Sequence, residues 1–459
     1  MGRSTVIPLA RACMVAVLCC LPAALTAQQL PRPTVLTNAR IIIGDGRVLE
    51  QGAIRFSGGE IEAVGTMSEV SLSGAEIEDL GGKTLMPAMI DAHAHLGYQS
   101  PSGWGSDFYS VENLQQNLDQ YAWYGFSAVF SAGSDPDDLA IRFQREQEEG
   151  TRGGARFLFA AGVAPPGQGP NNRFLEHTAA VESRTGMTVL RGVSDRRTAI
   201  AAVNEIAGKG IKFIKIWVDD RAGSQEKLAP GVYRPLMERA GNLGIPVFVH
   251  QQYATDMDDL LAAGAAGFLH GRLGTGFDGD LSSRIAAAGA FIVPNLGLGE
   301  LRREAIGLDP FLAAVIPVAV AQRLAESPGR QPAEQLAYDD SELVDSMAQM
   351  RRHGVEVVLG TDAGAVPDHP FGYTGHRELE IYVRLGMSPA QSLVAATGAA
   401  ARHLGLDDLG TLEKGKSADF IVLTENPLEN IRNTRTIEAV YLSGVRLDRE
   451  AMREAWQQD

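Results

Sequence analysis

Four strand-like segments of this chain each end in a residue that can bind a metal ion. Two of them, residues 245–250 and 267–270, end in His250 and His270, while residues 211–215 end in Lys215 and residues 355–362 end in Asp362. Ligands at the same end of successive strands become neighbours when the strands are parallel and closed into a barrel, because all carboxyl ends then face one mouth. The recurrence therefore predicts a parallel α/β fold with one site at that mouth.

A His-x-His pair follows a further apolar run at residues 85–90. The sequence of residues 91–95 reads DAHAH, so His93 and His95 lie two positions apart. Side chains with this spacing project to the same face of a strand, and both imidazoles can therefore converge on one ion. Imidazole is the commonest transition-metal ligand. The pattern is short, however, and two ordinary hydrogen-bonded histidines are the alternative at this point.

Strand and helix patterns alternate between residues 85 and 405, which predicts a (β/α)8 TIM barrel. Helical patterns lie between the strands, for example at residues 195–207 and 235–243. A long, mostly helical insertion at residues 300–352 could be a lid or a dimer contact at the mouth. The strand candidates beyond those already given are residues 128–131, 156–160 and 291–294.

Weak β-hairpin patterns occupy both ends of the chain and predict a small β-sandwich domain built from both termini. The last hairpin has a Ser443-Gly444 turn. We therefore expect four segments: a signal peptide at residues 1–27, the two parts of the sandwich at residues 28–84 and 406–459, and the barrel at residues 85–405.

The first 27 residues have the pattern of a cleaved secretory signal. Arg3 and Arg11 precede an apolar run at residues 12–21, and a stretch of small residues ends near Ala27. An uncleaved membrane anchor is the alternative, but the run is shorter than the roughly twenty residues that a span requires. We therefore expect a periplasmic or secreted protein that has no membrane association after signal removal.

Cysteine usage and charge limit the chemistry and the partners of the chain. All three cysteines, Cys13, Cys19 and Cys20, lie in the predicted signal, so the mature chain would have no thiol as nucleophile or metal ligand. The formal net charge of the 459 residues is −15, which disfavours nucleic acid and anionic lipid surfaces as partners. We expect a small-molecule substrate, and a homo-oligomer is left open.

With this set of residues and elements, the chain resembles the amidohydrolase superfamily of metal-dependent hydrolases, and within it the imidazolonepropionase-like and prolidase-like members. The resemblance covers nearly the whole mature chain, including the flanking β-regions. The segments and residues that carry it are MPAMIDAHAH at residues 86–95, Lys215, His250, His270, Asp362 and LGTLEKGKSADF at residues 409–420.

The resemblance implies two divalent metal ions held at one site. His93, His95 and Asp362 would hold one ion, His250 and His270 would hold the other, and a carbamate on Lys215 would bridge them. Zinc is favoured because nitrogen and oxygen ligands without sulfur suit it, with manganese, iron and cobalt as alternatives.

Lys215 is the residue on which the number of metal ions depends. An ammonium group cannot bind a cation, whereas lysine that has reacted with carbon dioxide becomes an anionic oxygen ligand. Two alternatives stand beside this role: an ion pair between Lys215 and Asp219 or Asp220, and Lys212 as the modified residue. Strand parity separates the two lysines, and the Ile-Lys-Ile context matches the family at Lys215.

The implied reaction is hydrolysis of an amide, in which a water shared by two cations loses a proton near neutral pH. Asp362 is the predicted catalytic residue, because it can accept that proton and pass it to the leaving group. A dipeptide or an N-acyl amino acid is the preferred substrate. The alternatives are a lactone or cyclic-amide hydrolase, a deaminase and, from another class, a non-catalytic periplasmic binding protein.

Substrate contacts are predicted in the loops that follow the strands, where specificity residues of barrel enzymes lie. Arg272 is the most informative candidate, because a guanidinium near the metals could hold a substrate carboxylate. For each candidate, packing or a surface ion pair is the alternative. The candidates are Arg272, Tyr253, Trp217, His369 and His376.

Overall fold

The computed structural model describes residues 1–2, 32–270 and 276–458, and the chain from Arg32 onward forms one compact unit. The predicted signal peptide beyond its first two residues, with its three cysteines, lies outside the described residues, as does Arg272. In the described ranges, each helix is too short or too polar to cross a membrane.

The strands and helices alternate along most of the chain. The strands of the described residues are β1 (Thr34–Ile42), β2 (Val48–Ser57), β3 (Glu60–Thr66), β4 (Glu76–Asp79), β5 (Thr84–Pro87), β6 (Met89–Ala94), β7 (Gln99–Ser100), β8 (Gly103–Trp104), β9 (Phe126–Ser131), β10 (Arg156–Phe159), β11 (Ala161–Ala164), β12 (Leu190–Gly192), β13 (Ile214–Val218), β14 (Val247–Gln251), β15 (Gly267–Leu269), β16 (Phe291–Val293), β17 (Glu356–Val357), β18 (Phe420–Leu423), β19 (Ile437–Leu442) and β20 (Val445–Arg446).

The helices of the described residues lie mainly between the parallel strands. They are α1 (Val111–Trp123), α2 (Asp137–Glu148), α3 (Asn172–Thr185), α4 (Arg196–Gly208), α5 (Pro230–Asn242), α6 (Ala254–Ala263), α7 (Gly279–Ala287), α8 (Gly297–Glu300), α9 (Pro310–Ala313), α10 (Val318–Glu326), α11 (Ser341–His353), α12 (Tyr373–Arg384), α13 (Pro389–Ala395), α14 (Gly398–His403) and α15 (Arg449–Gln458).

Helix starts follow the local sequence. The Asp195 side chain caps α4 by accepting a hydrogen bond from the Thr198 backbone N–H, and the two residues form a reciprocal capping box. Pro230 occupies the first turn of α5, where a missing N–H costs nothing, so this helix begins five residues before the predicted pattern at 235–243. Both predicted helices are thus confirmed, with shifted bounds.

Two parallel sheets position the predicted ligands. One sheet has the order β10-β9-β6, and the other has the order β12-β11-β13-β14-β15-β16-β17. Their strands pair in parallel, as predicted, so the mixed α/β class is confirmed. Strand β12 at the sheet edge was not predicted, because three residues carry too little periodicity to be recognised.

The two parallel sheets are connected at both of their ends. At one end the chain runs from β10 through Ala160 directly into β11 of the other sheet, and Ala160 N still donates to Ser131 O of β9 (3.1 Å). At the other, Ala92 N donates to Leu359 O (2.9 Å), and Thr361 N donates to His93 O (3.0 Å). The segment that carries Asp362 therefore lies beside β6, which carries His93 and is directly followed by His95.

The two ends of the chain share one sheet with the order β20-β19-β18-β5-β1-β2-β3, in which β4 also pairs with β1. Its apolar core includes Phe56, Phe420 and Tyr441, whose rings contact one another. The Ser443-Gly444 turn forms the predicted hairpin, and both residues adopt the positive φ that such a turn needs.

The apolar run at residues 85–90 contributes to two different sheets. Its first part lies in β5, which pairs with β18 of the terminal sheet, and its second part begins β6. Ala88 lies between the two strands. Since both strands are fully buried, hydrophobicity alone shows no break between them.

Candidate metal centre

The predicted ligands of the first ion lie together at the carboxyl ends of the parallel strands. One ligand atom each from His93, His270 and Asp362 lies within 4.8 Å of the others. Asp362 Oδ1 is 3.1 Å from Nε2 of His95 and 3.5 Å from Nε2 of His93. Lys215 Nζ is 3.4 Å from the same nitrogen of His93. The structure thus brings five of the six predicted ligands to one place, namely His93, His95, Lys215, His270 and Asp362.

His250 lies next to this group, with its ring centroid 4.6 Å from that of His270. Its Nε2 atom contacts two residues that the sequence did not place beside it: Asp219 Oδ2 at 3.0 Å and Arg221 Nη1 at 2.9 Å. Asp219 had been considered as a partner of Lys215, but it pairs with Arg221 instead. All six predicted ligands are therefore gathered in one region.

The backbone at two ligands has an unusual conformation. His270 (φ 66°), which directly follows β15, and Asp362 (φ 60°), which lies five residues after β17, both adopt the left-handed region, and so does Asn295 (φ 54°). Residues other than glycine rarely occupy this region, and such conformations cluster at functional sites.

Polar side chains orient the histidines from behind. His93 Nδ1 donates to Asn295 Oδ1 (2.9 Å), and Ser134 Oγ lies 2.8 Å from Nδ1 of His95. Each ring is thus held by one nitrogen and presents its Nε2 to the centre, as in metal sites with oriented imidazoles. Sequence reasoning missed both partners, although Asn295 directly follows a predicted strand and the strand-end rule could have found it.

Asp91 ties two ligand-bearing segments together. Its carboxylate accepts hydrogen bonds from the backbone N–H groups of His93 (3.0 Å) and Thr361 (3.1 Å), from Thr361 Oγ1 (2.7 Å) and from Tyr121 Oη (2.7 Å). Burial raises the pKa of Asp91 to about 6. The residue belongs to the DAHAH motif, but its role lies in positioning the neighbouring segments.

The electrostatics of the site suit a divalent cation. Burial lowers the pKa of His270 to about 3 and takes the pKa values of His93 and His250 well below the ordinary value, so these rings are neutral and their lone pairs are available. Burial alone would raise the pKa of Asp362, but the adjacent imidazoles outweigh it and the pKa falls. Asp362 Oδ1 is buried without a hydrogen-bond partner among the described residues. The donor set therefore fits the implied metal ions.

Burial distinguishes the two candidate lysines. Lys215 is 1% exposed, whereas Lys212 is exposed to solvent. No carboxylate forms an ion pair with Lys215 in the described part of the chain, and burial lowers its pKa to about 7. A neutral amine next to His93 is the form that can react with carbon dioxide.

A cavity of about 520 Å³ opens onto the centre. Its metal-facing part includes His95, His250, His270 and Asp362. Its other walls combine apolar and cationic side chains, namely Trp104, Phe174, Leu296, Leu298, Leu343, Val366, Arg173, Arg221 and Arg302. Leu343 and Arg302 come from the predicted 300–352 insertion, which therefore contributes to the cavity wall.

The predicted substrate-contact residues differ in how close they lie to the candidate metal centre. His369 is buried beside the centre, with Nδ1 3.3 Å from the Asp362 carbonyl oxygen. Trp217 is buried with its ring 5.7 Å from Lys215 Nζ, and Tyr253 lies against Lys227. His376 is not brought to the cavity, because both ring nitrogens are within hydrogen-bond distance of partners inside the fold: Thr434 Oγ1 and Tyr124 O, each at 2.9 Å.

Comparisons with known proteins show which family this chain resembles. The family model described as "Amidohydrolase" matches residues 90–267, and the model described as "Amidohydrolase family" matches residues 337–447. The imidazolonepropionase of Deinococcus radiodurans is 26% identical over 91% of this chain and 96% of its own length. That of Paracoccus denitrificans is 24% identical over 82% of this chain and 88% of its own length.

Solved structures show the same fold at lower sequence identity. A Xaa-Pro dipeptidase with bound methionine is similar with a TM-score of 0.69 and 22% identity, over 90% of this chain and 99% of that chain. Molinate hydrolase is similar with a TM-score of 0.70 and 18% identity, over 92% and 96% of the two chains. At such identities the likeness concerns the fold alone.

Proposed function

The chain belongs to the amidohydrolase superfamily, in its imidazolonepropionase-like and prolidase-like branch, and from this premise we propose that it is an exported binuclear metal-dependent amidohydrolase. The relatives indicate a hydrolase that acts on C–N bonds. Within that activity we propose amide substrates, with a dipeptide or an N-acyl amino acid preferred. The observation that carries the proposal is the convergence of neutral, buried imidazoles on the ionised Asp362 carboxylate.

The proposed metal site uses the residues gathered at the strand ends. His93, His95 and Asp362 would hold one ion, His250 and His270 the other, and a carbamate on Lys215 would bridge them. The neutral state of the rings supports this assignment, because a protonated imidazole has no lone pair for a metal. Zinc is the proposed metal, since the set contains nitrogen and oxygen donors only.

The proposed reaction joins the oxygen of a water molecule to the carbonyl carbon of the amide and breaks its C–N bond. Divalent ions supply a more acidic water and a polarised carbonyl when bound. Asp362 accepts the proton from the water and delivers it to the departing nitrogen, which leaves as an amine while the carbonyl becomes a carboxylic acid. Asn295 and Ser134 keep the two imidazoles oriented during this sequence.

We expect purified protein to contain about two equivalents of a transition metal and to hydrolyse members of an amide panel. Elemental analysis would measure the metal, and the panel would contain dipeptides, N-acyl amino acids, cyclic amides, lactones and deaminase substrates. Chelation should abolish turnover, and zinc should restore it. Protein without stoichiometric metal, or turnover that survives chelation, would contradict the proposal. Metal without any turnover would instead support the non-catalytic binding protein.

A cyclic amide is the second candidate substrate, because the sequence relatives include imidazolonepropionases, two of which align over 96% and 93% of their own length. The same panel separates the two candidates. A preference for cyclic amides over dipeptides and N-acyl amino acids would favour this alternative.

The cavity wall supports a substrate with an apolar body and a carboxylate. Arg173 and Arg302 line the cavity, and neither forms an ion pair with a carboxylate in the part of the chain that the structure describes. Arg302→Ala is expected to raise KM for an N-acyl amino acid about tenfold, the cost of one charge-assisted hydrogen bond, and to leave KM for its neutral amide derivative nearly unchanged. Steady-state kinetics on the two substrates measures this difference.

Arg303→Ala is the matched control for this prediction. The Arg303 guanidinium lies 5.5 Å from the ring of Tyr338 and does not line the cavity. Its KM for both substrates should stay within about twofold of the wild-type value. Equal effects of Arg302→Ala on the charged and the neutral substrate would argue against carboxylate recognition.

We also propose that the parallel strands close into an eight-stranded TIM barrel at residues 85–405, with a β-sandwich formed by residues 28–84 and 406–459. The hydrogen bonds between β6 and the segment after β17 support closure, and the pairing of β18 with β5 supports the joint domain. Removal of a signal peptide at residues 1–27 and export to the periplasm remain part of the proposal on the sequence pattern alone.

A further inference from the structure

The His250 imidazole faces a cation that belongs to the protein itself. Arg221 Nη1 lies 2.9 Å from His250 Nε2 and 2.5 Å from Asp219 Oδ2, and the latter two atoms are 3.0 Å apart. One guanidinium nitrogen, which carries two hydrogens, can donate to both neighbours at once. The imidazole lone pair and the carboxylate oxygen therefore converge on a single positive group.

The same two atoms are suitably spaced to bind one divalent ion. An imidazole nitrogen and a carboxylate oxygen are both zinc ligands, and these two atoms lie close enough to each other, at 3.0 Å, that both would hold the same ion. The Asp219 side chain is fully buried, and its Oδ1 accepts the backbone N–H of Arg221 at 2.9 Å, which fixes the direction of the carboxylate. A buried carboxylate in this position needs a positive partner, and either the guanidinium or a metal ion can be that partner.

The two partners exclude each other. A guanidinium stays protonated at any working pH and only donates hydrogen bonds, so it occupies the lone pair that a metal on His250 would need. Arg221 lines the cavity, so there is space into which its side chain can turn. Its Nε is buried without a hydrogen-bond partner in the described part of the chain. Contacts on that side of the guanidinium therefore do not hold it in place.

We propose that Asp219 is an additional ligand of the second ion, beside His250 and His270, and that Arg221 holds the place of this ion until metal binds. The inference rests on the proposed binuclear site and assigns to it two residues beyond the six predicted ligands. On metal binding, the guanidinium leaves His250 and turns into the cavity. The second site is consequently the weaker one in the wild-type protein, because its metal must displace an internal cation.

Zinc titration of metal-free protein tests the proposal. Arg221→Met removes the charge, retains an unbranched side chain and leaves Asp219 without a cation, so the affinity of the second zinc should rise about tenfold or more. Asp219→Asn should weaken the second zinc by at least about tenfold, as expected for a lost supporting or direct ligand. In both variants the first zinc should bind as in the wild type. Calorimetry gives the affinities, and elemental analysis gives the stoichiometry.

Asp220→Asn is the matched control, because Asp220 is the next residue and makes no contact with His250 among the described residues. Its two zinc affinities should equal those of the wild type. If the affinity of the Arg221→Met variant for the second zinc were equal to or lower than that of the wild type, the proposal would be overturned. This test holds even if Asp219→Asn fails to fold. A wild-type protein that takes up no stoichiometric zinc would refute the proposed function itself. If the wild type binds two zinc ions and the folded variants bind both with unchanged affinity, only this inference is refuted.

Discussion

Asp362→Asn is expected to lower kcat for amide hydrolysis by roughly 10²- to 10⁴-fold, the usual contribution of a general acid or base. The carboxylate lies 3.1 Å from His95 Nε2 and 3.7 Å from His270 Nε2, at the centre of the gathered ligands. Its lowered pKa keeps it ionised at neutral pH, so both of its oxygens are free of a proton. An asparagine has nearly the same shape and keeps one carbonyl oxygen for a metal, but it cannot accept a proton from water. Most of the metal should therefore remain bound.

Kinetics and elemental analysis on the same preparation separate catalysis from ligation. Asp368→Asn is the matched control, because this carboxylate lies six residues further along and forms ion pairs with Arg323 and Arg330. It should keep kcat within about twofold. If Asp362→Asn retained more than a tenth of the wild-type kcat, Asp362 would not be the proton acceptor. If the variant lost its metal together with its activity, the loss of a metal ligand alone would explain the lower kcat.

Strand-end ligands could be predicted because two local regularities coincide in the sequence. Short apolar runs identify strands, and parallel strands place their carboxyl ends on one side of a sheet. His93, His250, His270 and Asp362 each follow such a run, and the structure gathers them although 269 positions separate the first from the last. Burial then separates Lys215 from Lys212, as strand parity had indicated.

Loop residues of the site could not be predicted in the same way. The contact of Asp219 and Arg221 with His250 depends on a loop in which Arg221 and Ala222 both have positive φ, and no hydrophobic period encodes such a path. The burial of His376 depends on its contact with the hydroxyl of Thr434, a residue that is 58 positions away in the sequence. Both contacts arise only when separate segments of the fold are assembled.

Lys215→Ala is expected to lower kcat/KM by more than about 100-fold and to reduce the bound metal from about two equivalents to one. Loss of a residue that merely supports a ligand already costs about 10- to 100-fold in activity or affinity, and a bridging ligand should matter more. The lysine is buried, and its pKa of about 7 leaves a large neutral fraction at working pH. The neutral amine attacks carbon dioxide, a nitrogen–carbon bond forms, one N–H proton leaves and a carbamate anion remains.

Lys212→Ala is the control for the lysine, because this side chain is exposed three positions earlier on the same segment. It should retain wild-type metal content and turnover. Acetate or propionate should restore part of the activity of Lys215→Ala, since a small carboxylate can enter the space of the deleted side chain and supply the missing anion. Neither should restore Asp362→Asn, in which the missing function is proton acceptance.

Reconstitution of metal-free wild-type protein tests the carbamate directly. In buffer freed of carbon dioxide, zinc should restore little activity, and bicarbonate should then increase the rate and extent of recovery. Lys215→Ala should show no bicarbonate effect, because it has no amine at this position to modify. Full recovery of the wild type without carbon dioxide would exclude the carbamate. The buried amine 3.4 Å from His93 would then have to act as a neutral lysine, and the site would lack its bridging anion.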